Sequence, residues 1–224
     1  MREEEDAVPR EPGRPAPGPA EVANPGPPST PLPAASIILM RRGGRHADRE
    51  LEVLLLQRSP DAAFMPRVWV FPGGAVDPED GEGEEGYRRA AIRELEEESG
   101  IALPADEELV LFSRWITPEP VKRRFDAWFF LALAPAHTPP QADGRETVDA
   151  AWFRPQDALD ANTAGDLALV FPTIRQLESL VPYRTSEEAL QAARGREVEP
   201  ILPKVIGTRE EPRVVLPGDP DYPG

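Results

Sequence analysis

Glu94, Glu97 and Glu98 stand in the run Arg93-Glu94-Leu95-Glu96-Glu97-Glu98-Ser99-Gly100, and their spacing decides what they can do together. On a helix turning about 100° per residue the three carboxylates share an arc roughly 100° wide, while Ile92, Leu95 and Ser99 point into a neighbouring arc. One face packs and the adjacent face presents negative charge. Like charges four residues apart repel, and near a helix C-terminus the dipole adds to the cost. Solvent relieves this on an open surface. Divalent cations relieve it too, and would turn the helix into a ligand platform. Arg93 can hold one of the carboxylates, and the turn at Pro72-Gly73-Gly74 lets backbone and a phosphate-bearing ligand approach closely.

Composition narrows the chemistry. Forty acidic against 25 basic residues give a formal charge of −15, which opposes a broad electrostatic grip on a nucleic acid polymer or an anionic membrane. A small anionic substrate is compatible with that charge when a cation or a local arginine cluster reverses the sign inside a pocket. The absence of cysteine excludes disulfides, thiolate metal sites and cysteine nucleophiles. With two histidines only, one of them (His46) in a polar loop where it reads as exposed and without a role, any metal must be held mainly by oxygen. That donor set favours Mg²⁺ or Mn²⁺. No signal-like segment or apolar run of roughly 18 residues occurs, so the cytoplasm is the expected location.

The elements that must position these residues can be read from the same chain. Residues 1–33 hold ten of the 29 prolines, too many for a continuous helix or sheet, and read as a disordered lead-in. From Ala34, ASIILMRR and LEVLLLQRS look like two strands across a polar link, and VWVFPGG at 68–74 like a third. A helix is predicted over 86–99, ending at Gly100. LVLFSRWIT, RFDAWFFLAL and VDAAWF are further strands, and 155–160, 170–181 and 186–194 further helices. Strands and helices interleave, which predicts an α/β layered domain over 34–182. The extension 183–224 is Pro-rich and irregular; its VI and VVL pieces are read as edge strands or as chain draped over the domain or over a partner subunit, so a homodimer stays open.

The ordered string resembles the signature box of the Nudix hydrolases: Gly, five residues, Glu, seven residues, then Arg-Glu-apolar-any-Glu-Glu-any-Gly-apolar. Glu85, Arg93, Glu94, Leu95, Glu97, Glu98, Gly100 and Ile101 match the latter half, while ten residues rather than five separate Gly74 from Glu85. LLLQRSPDAAFMPRVWVFPGGAVDPED, AAIRELEEESGI, RWITPEPVKRRFDAWFFLA and FPT are similar to the coenzyme A diphosphatase branch typified by nudix hydrolase 19 and its bacterial relatives, which also carries residues inserted in the box.

The resemblance implies a Nudix-type α/β/α sandwich with a mixed central sheet. It further implies a divalent-metal hydrolase (Mg²⁺ or Mn²⁺) acting on a small nucleoside diphosphate derivative. Arg93 would orient the first helix glutamate, Glu97 and Glu98 would be principal metal ligands, Glu94 a ligand or the nearby base, and Glu85 an outer ligand. A further carboxylate from outside the box is expected at Glu146, just before a strand, with Asp149 as runner-up. Gly73 and Gly74 would approach the substrate, and Arg58 and Arg124, with Arg123 beside Asp126, would contact its phosphates. Trp69, Trp115, Phe125 and Trp128 could stack on a base or cover a pantetheine arm, although alternating aromatics in strands are more often core.

Three functions compete at this level. The one the resemblance favours is cleavage of coenzyme A or acyl-CoA into 3′,5′-ADP and a phosphopantetheine product, with an arginine such as Arg58 or Arg124 gripping the 3′-phosphate. The second keeps the chemistry and changes the substrate to ADP-ribose, NADH or a nucleotide sugar. The third, a noncatalytic binding module, conflicts with the retention of every acid on the helix.

Overall fold

A computed structural model describes residues 26–42, 50–62, 65–136, 139–208 and 212–223; the lead-in up to residue 25 and the loop holding His46 lie outside them. Strand β1 (Leu32–Arg42) starts two residues ahead of the predicted boundary, and its β-branched and leucine-rich run alternates cleanly between two cores. β2 (Leu51–Arg58) pairs antiparallel with it. The single extended piece expected at 68–74 is two strands, β3 (Trp69–Val70) on β2 and β4 (Gly73–Ala75) on β1. Pro72 lies between them, and its carbonyl accepts from Ile37 N–H.

The chain then enters a single 3₁₀ turn at Pro78–Asp80 and the long helix α1 (Gly83–Ser99), which closes on Gly100 with its N–H donated to the Glu96 carbonyl. β5 (Val110–Ile116) and β6 (Phe125–Leu133) form a hairpin, and β6 pairs in parallel with β1 over nine residues, Leu32 to Met40. β7 (Thr147–Phe153) returns to the outer side of β2. Sheet order is β3-β2-β1-β6-β5-β8, where β8 (Pro200–Ile201) covers the β5 edge in parallel and both orientations are present. The expected mixed sheet is therefore found.

Helix α1 lies on one face, where Ala90, Ala91 and Leu95 pack on Ala35, Ile37, Leu39, Leu54, Leu56 and Phe130. The other face carries α2 (Pro155–Ala164), α3 (Phe171–Leu180) and α4 (Ser186–Ala193), through Ala158, Leu177, Leu180, Ala189 and Leu190. Each strand residue flips sides from its neighbour, so both faces of the sheet are dry, as an α/β/α sandwich requires. Of the tail, β9 (Lys204–Gly207) and β10 (Pro212–Val215) form a separate two-stranded ribbon. No helix among the described residues is long and apolar enough to cross a membrane.

Candidate active site

The last two turns of α1 face the Gly73-Gly74 turn, and the contact between them is made by carboxylates. Gly73 N–H donates to Glu98 Oε2 at 2.9 Å. A Cβ on Gly74 would stand 2.4 Å from Glu94 Oε1, so the missing side chain is what lets this carboxylate lie against the turn. Because the obstacle is the free end of a flexible side chain, Gly74→Ala is expected to keep its melting temperature within a few degrees while Glu94 swings aside. Turnover should then fall roughly tenfold or more, since misplacing a reacting group by about 1 Å has that scale of cost. Unchanged turnover in that variant would remove Glu94 from the site.

Glu98 is 5 % exposed. Burial pushes its carboxyl up to about 8, the Gly73 N–H and the Arg58 charge oppose this, and Glu94 and Glu146 reinforce it. Burial likewise raises Glu94, whose ion pair with Arg93 pulls the other way and whose neighbours Glu97 and Glu146 add to the rise. Four acids and two arginines, from α1, the end of β2 and the loop before β7, thus share one electrostatic neighbourhood.

Glu146 enters it from the loop before β7, exposed, with its carbonyl accepting from Ser59 N–H at 2.7 Å. Arg58 enters from the end of β2, and its Nε is buried with no hydrogen-bond partner among the described residues. Glu97 is turned outward onto Arg93, 3.2 Å away, at the wall of a cleft of about 540 Å³ lined by Asp80, Arg89, Ile92, Arg93, Glu96 and Glu97.

Among the described residues no three acidic or imidazole groups meet closely enough to hold a metal ion as they stand. The donor set nevertheless suits a hard divalent cation. It is all oxygen, and Glu98 and Glu94 are both raised, the state that a cation would relieve.

The Arg93 guanidinium is held on three sides. Nε and Nη2 bond Asp80 Oδ1 and Oδ2 at 3.2 and 2.9 Å, Nη1 bonds Glu94 Oε1 at 2.8 Å, and Nη2 also reaches the Ala75 carbonyl at 3.1 Å. The bidentate pair with Arg93 lowers the Asp80 carboxyl, against its burial. Asp80 caps its own turn as well, accepting from Asp77 N–H, while its carbonyl takes Arg89 Nη1. Sequence reasoning missed this residue. The signal was available: Asp80 follows Gly74 after five residues, the box spacing, so the additional residues lie between Asp80 and Arg93.

Glu85 occupies the first turn of α1, well exposed, with Arg89 as its partner at 3.4 Å. Nine residues at about 1.5 Å each separate it from Glu94, so the structure does not bring it to the carboxylate group. Arg124 is nearly fully buried at the start of β6, donating to the carbonyls of Thr117 (2.9 Å) and Ser29 (2.8 Å). Those bonds tie the start of β6 to the end of β5 and to the chain leading into β1, in place of the phosphate contact expected of Arg124. Arg123 lies over the Phe125 ring, and Asp126 forms a two-pronged pair with Arg114. Asp149 bonds the next backbone N–H. Trp69 and Trp115 are core residues, edge-on to Phe153 and Phe171, and Trp128 is stacked on Tyr87 at 4.5 Å.

Comparison with known proteins agrees with this geometry. The Nudix domain family matches residues 30–173. Nudix hydrolase 7 of Caenorhabditis elegans is 31% identical, the match covering 83% of this chain and 72% of the relative. An acyl-coenzyme A diphosphatase of Xenopus laevis is 23% identical over 78% and 72% of the two chains. Among solved structures, a Nudix hydrolase from Alicyclobacillus acidocaldarius superposes with a TM-score of 0.65 at 25% identity, over 73% of this chain and 96% of that one. The Nudix domain of Shewanella oneidensis NrtR, solved with ADP ribose, has a TM-score of 0.50 at 20% identity, over 67% and 86%, a likeness of fold. An acidic helix that this fold holds against a Gly-Gly turn, in a chain matched over most of its sheet and helices, makes the protein a member of the Nudix hydrolase family.

Proposed function

We propose that the protein hydrolyses the diphosphate of a small nucleoside diphosphate derivative of the ADP-ribose, NADH or nucleotide-sugar kind, with Mg²⁺ or Mn²⁺. The observation that carries this reading is that Glu94 and Glu98 lie against the Gly73-Gly74 turn within reach of the charges of Glu146 and Arg58. Glu94 and Glu98 would hold the cation, with Glu97 joining on release from Arg93. When bound, the ion supplies charge neutralisation at the diphosphate. Arg93 keeps Glu94 in place, and Gly73 N–H keeps Glu98 aimed at the turn. Glu146 adds a fourth carboxylate at the open side, and Arg58, whose charge already acts on Glu98, would supply positive charge for a phosphate oxygen.

Coenzyme A and acyl-CoA form the second reading, supported by the likeness to the frog acyl-coenzyme A diphosphatase. That reading relied on Arg58 and Arg124 to grip the 3′-phosphate. With Arg124 engaged by two backbone carbonyls, the balance moves toward substrates without that group.

A panel of ADP-ribose, NADH, nucleotide sugars, acetyl-CoA, CoA and 3′-dephospho-CoA, run with each metal, decides between them. ADP-ribose or a relative is expected to give the highest kcat/KM, with CoA and 3′-dephospho-CoA within about threefold of each other, because a charge-assisted contact to the 3′-phosphate would be worth roughly tenfold or more. A CoA preference that disappears with the 3′-phosphate installs the second reading. Failure to cleave any diphosphate with either metal rejects both.

A further inference from the structure

The loop that delivers Glu146 is built around one carboxylate that the chemistry above does not use. Asp143 Oδ1 accepts from the backbone N–H groups of Arg145 (3.1 Å), Glu146 (3.1 Å) and Thr147 (2.8 Å), and Oδ2 accepts from Glu146 N–H at 3.2 Å. Gly144, at φ +75°, makes the tight turn possible and closes it by donating to the Thr147 carbonyl at 2.9 Å. Burial would raise the Asp143 carboxyl, but the backbone bonds from Thr147, Glu146 and Arg145 outweigh it and hold it low.

The same loop is fastened to the acidic helix. The buried Thr147 hydroxyl lies 3.1 Å from the Glu98 carbonyl and 2.9 Å from Asp143 Oδ1, and can donate to either. Gln141 N–H donates to the Ser99 carbonyl at 2.9 Å. Two carbonyls that the helix end leaves without an intrahelical partner are therefore answered by this loop. On its other side Ser59 N–H holds the Glu146 carbonyl, and Thr147 is in register with Arg58 where the β2–β7 ladder shifts. Glu146 is thus suspended between the end of β2 and the last turn of α1, its carbonyl held by Ser59 and its N–H, with those of both neighbours, by Asp143.

We propose that Asp143 is a positioning residue. By gathering the N–H groups of residues 145–147 it fixes the position of Glu146 between the end of β2 and the last turn of α1, beside the carboxylates of that helix. This rests on the assignment of Glu146 to the site made above. The Asp143 carboxylate is directed into its own loop and touches no reacting group. Its effect is to fix where a negative charge stands relative to two others, and this should be read in cation affinity as well as in rate.

The test is a cycle on the full chain: wild type, Asp143→Ala, Asp143→Asn, Glu146→Gln and the double variant Asp143→Ala/Glu146→Gln. Mn²⁺ affinity is measured without substrate by electron paramagnetic resonance of the free ion, alongside kcat, KM and thermal unfolding. Asp143→Ala should weaken Mn²⁺ binding and lower kcat by about tenfold, the scale found when a group orienting a metal ligand is removed, and KM should stay within about twofold. Asp143→Asn keeps one oxygen acceptor and should recover most of both. In the Glu146→Gln background the alanine should add nothing. If Asp143→Ala does not fold, Asp143→Ser, which leaves a hydroxyl acceptor, enters the same cycle. A loss that is equal in both backgrounds, or a lower melting temperature with wild-type Mn²⁺ affinity and kcat, overturns the proposal and leaves Glu146 in place. Wild-type Mn²⁺ affinity and kcat in Glu146→Gln itself overturns the assignment of Glu146, and the proposal with it.

Discussion

Glu98→Gln should lower turnover at saturating metal by at least about 10²-fold, the size expected when a charge that stabilises a phosphoryl-transfer transition state is removed from a dry site. The substitution is nearly isosteric, so the amide can keep the hydrogen bond from Gly73 N–H. The fold should lose nothing, because the wild-type carboxylate is buried, is driven up to about 8 and faces Glu94 and Glu146. In the metal-free protein at neutral pH the variant is therefore expected to unfold at or above the wild-type temperature, while Mn²⁺ affinity drops with kcat. Opposite movement of stability and activity separates this role from a packing role. A variant with a lowered melting temperature and near-normal turnover at high metal would exclude Glu98 from the site. Glu97→Gln is expected to follow the same trend in rate, but its side chain starts on Arg93 and is largely exposed, so its folded state is indifferent to the change.

How much of this was legible in the chain depends on how local each interaction is. The period of α1 was readable because Leu95 and Ala91 recur against the sheet while the acids recur on the next arc, and both patterns are properties of one segment. Its start was not. Gly83 and Gly86 are poor helix formers, yet the helix begins at Gly83, three residues ahead of the sequence reading. The reason is tertiary: a Cβ on Gly86 would stand 2.4 Å from the Gly81 carbonyl oxygen, so the glycine lets the 3₁₀ turn lie directly on the helix, and Arg89 ties the two together. The strands of the body were recognisable from their alternation, whereas their order, with β6 rather than β2 running parallel to β1, was not.

The site divides in the same way. Glu94, Glu97, Glu98 and Arg93 belong to a single helix and could be placed by counting. Glu146 was placed by its position before a strand, and its charge does reach Glu94 and Glu98. The acidic run 75–85 offered two acids to one motif position, and only the fold-back of the 3₁₀ turn shows that Asp80 rather than Glu85 meets Arg93. Arg124 looked free because arginine before a strand is usually exposed; the carbonyls that hold it come from residues 7 and 95 positions away.

Arg93→Lys is the second large effect, and it tests whether charge alone does the work of that residue. A lysine keeps the positive charge but offers a point donor where guanidinium presents a planar fork, and here the fork is used on Asp80 with both Nε and Nη2 while Nη1 serves Glu94 and Glu97. An ammonium cannot span all of these. The 3₁₀ turn and Glu94 would no longer be held by one rigid body, so kcat is expected to fall by roughly 10- to 100-fold, with Mn²⁺ affinity weakened less than in Glu98→Gln. Asp80→Asn provides the matched control from the other side. It removes the charge that orients the guanidinium, leaves Arg93 itself intact, and should lower kcat in the same direction by a smaller factor. Combined with Arg93→Lys it should add little, because both substitutions break one lock. Strict additivity of the two would mean that Asp80 acts on the site without Arg93. Wild-type kcat in Arg93→Lys would mean that Glu94 needs only a neighbouring charge and no geometry.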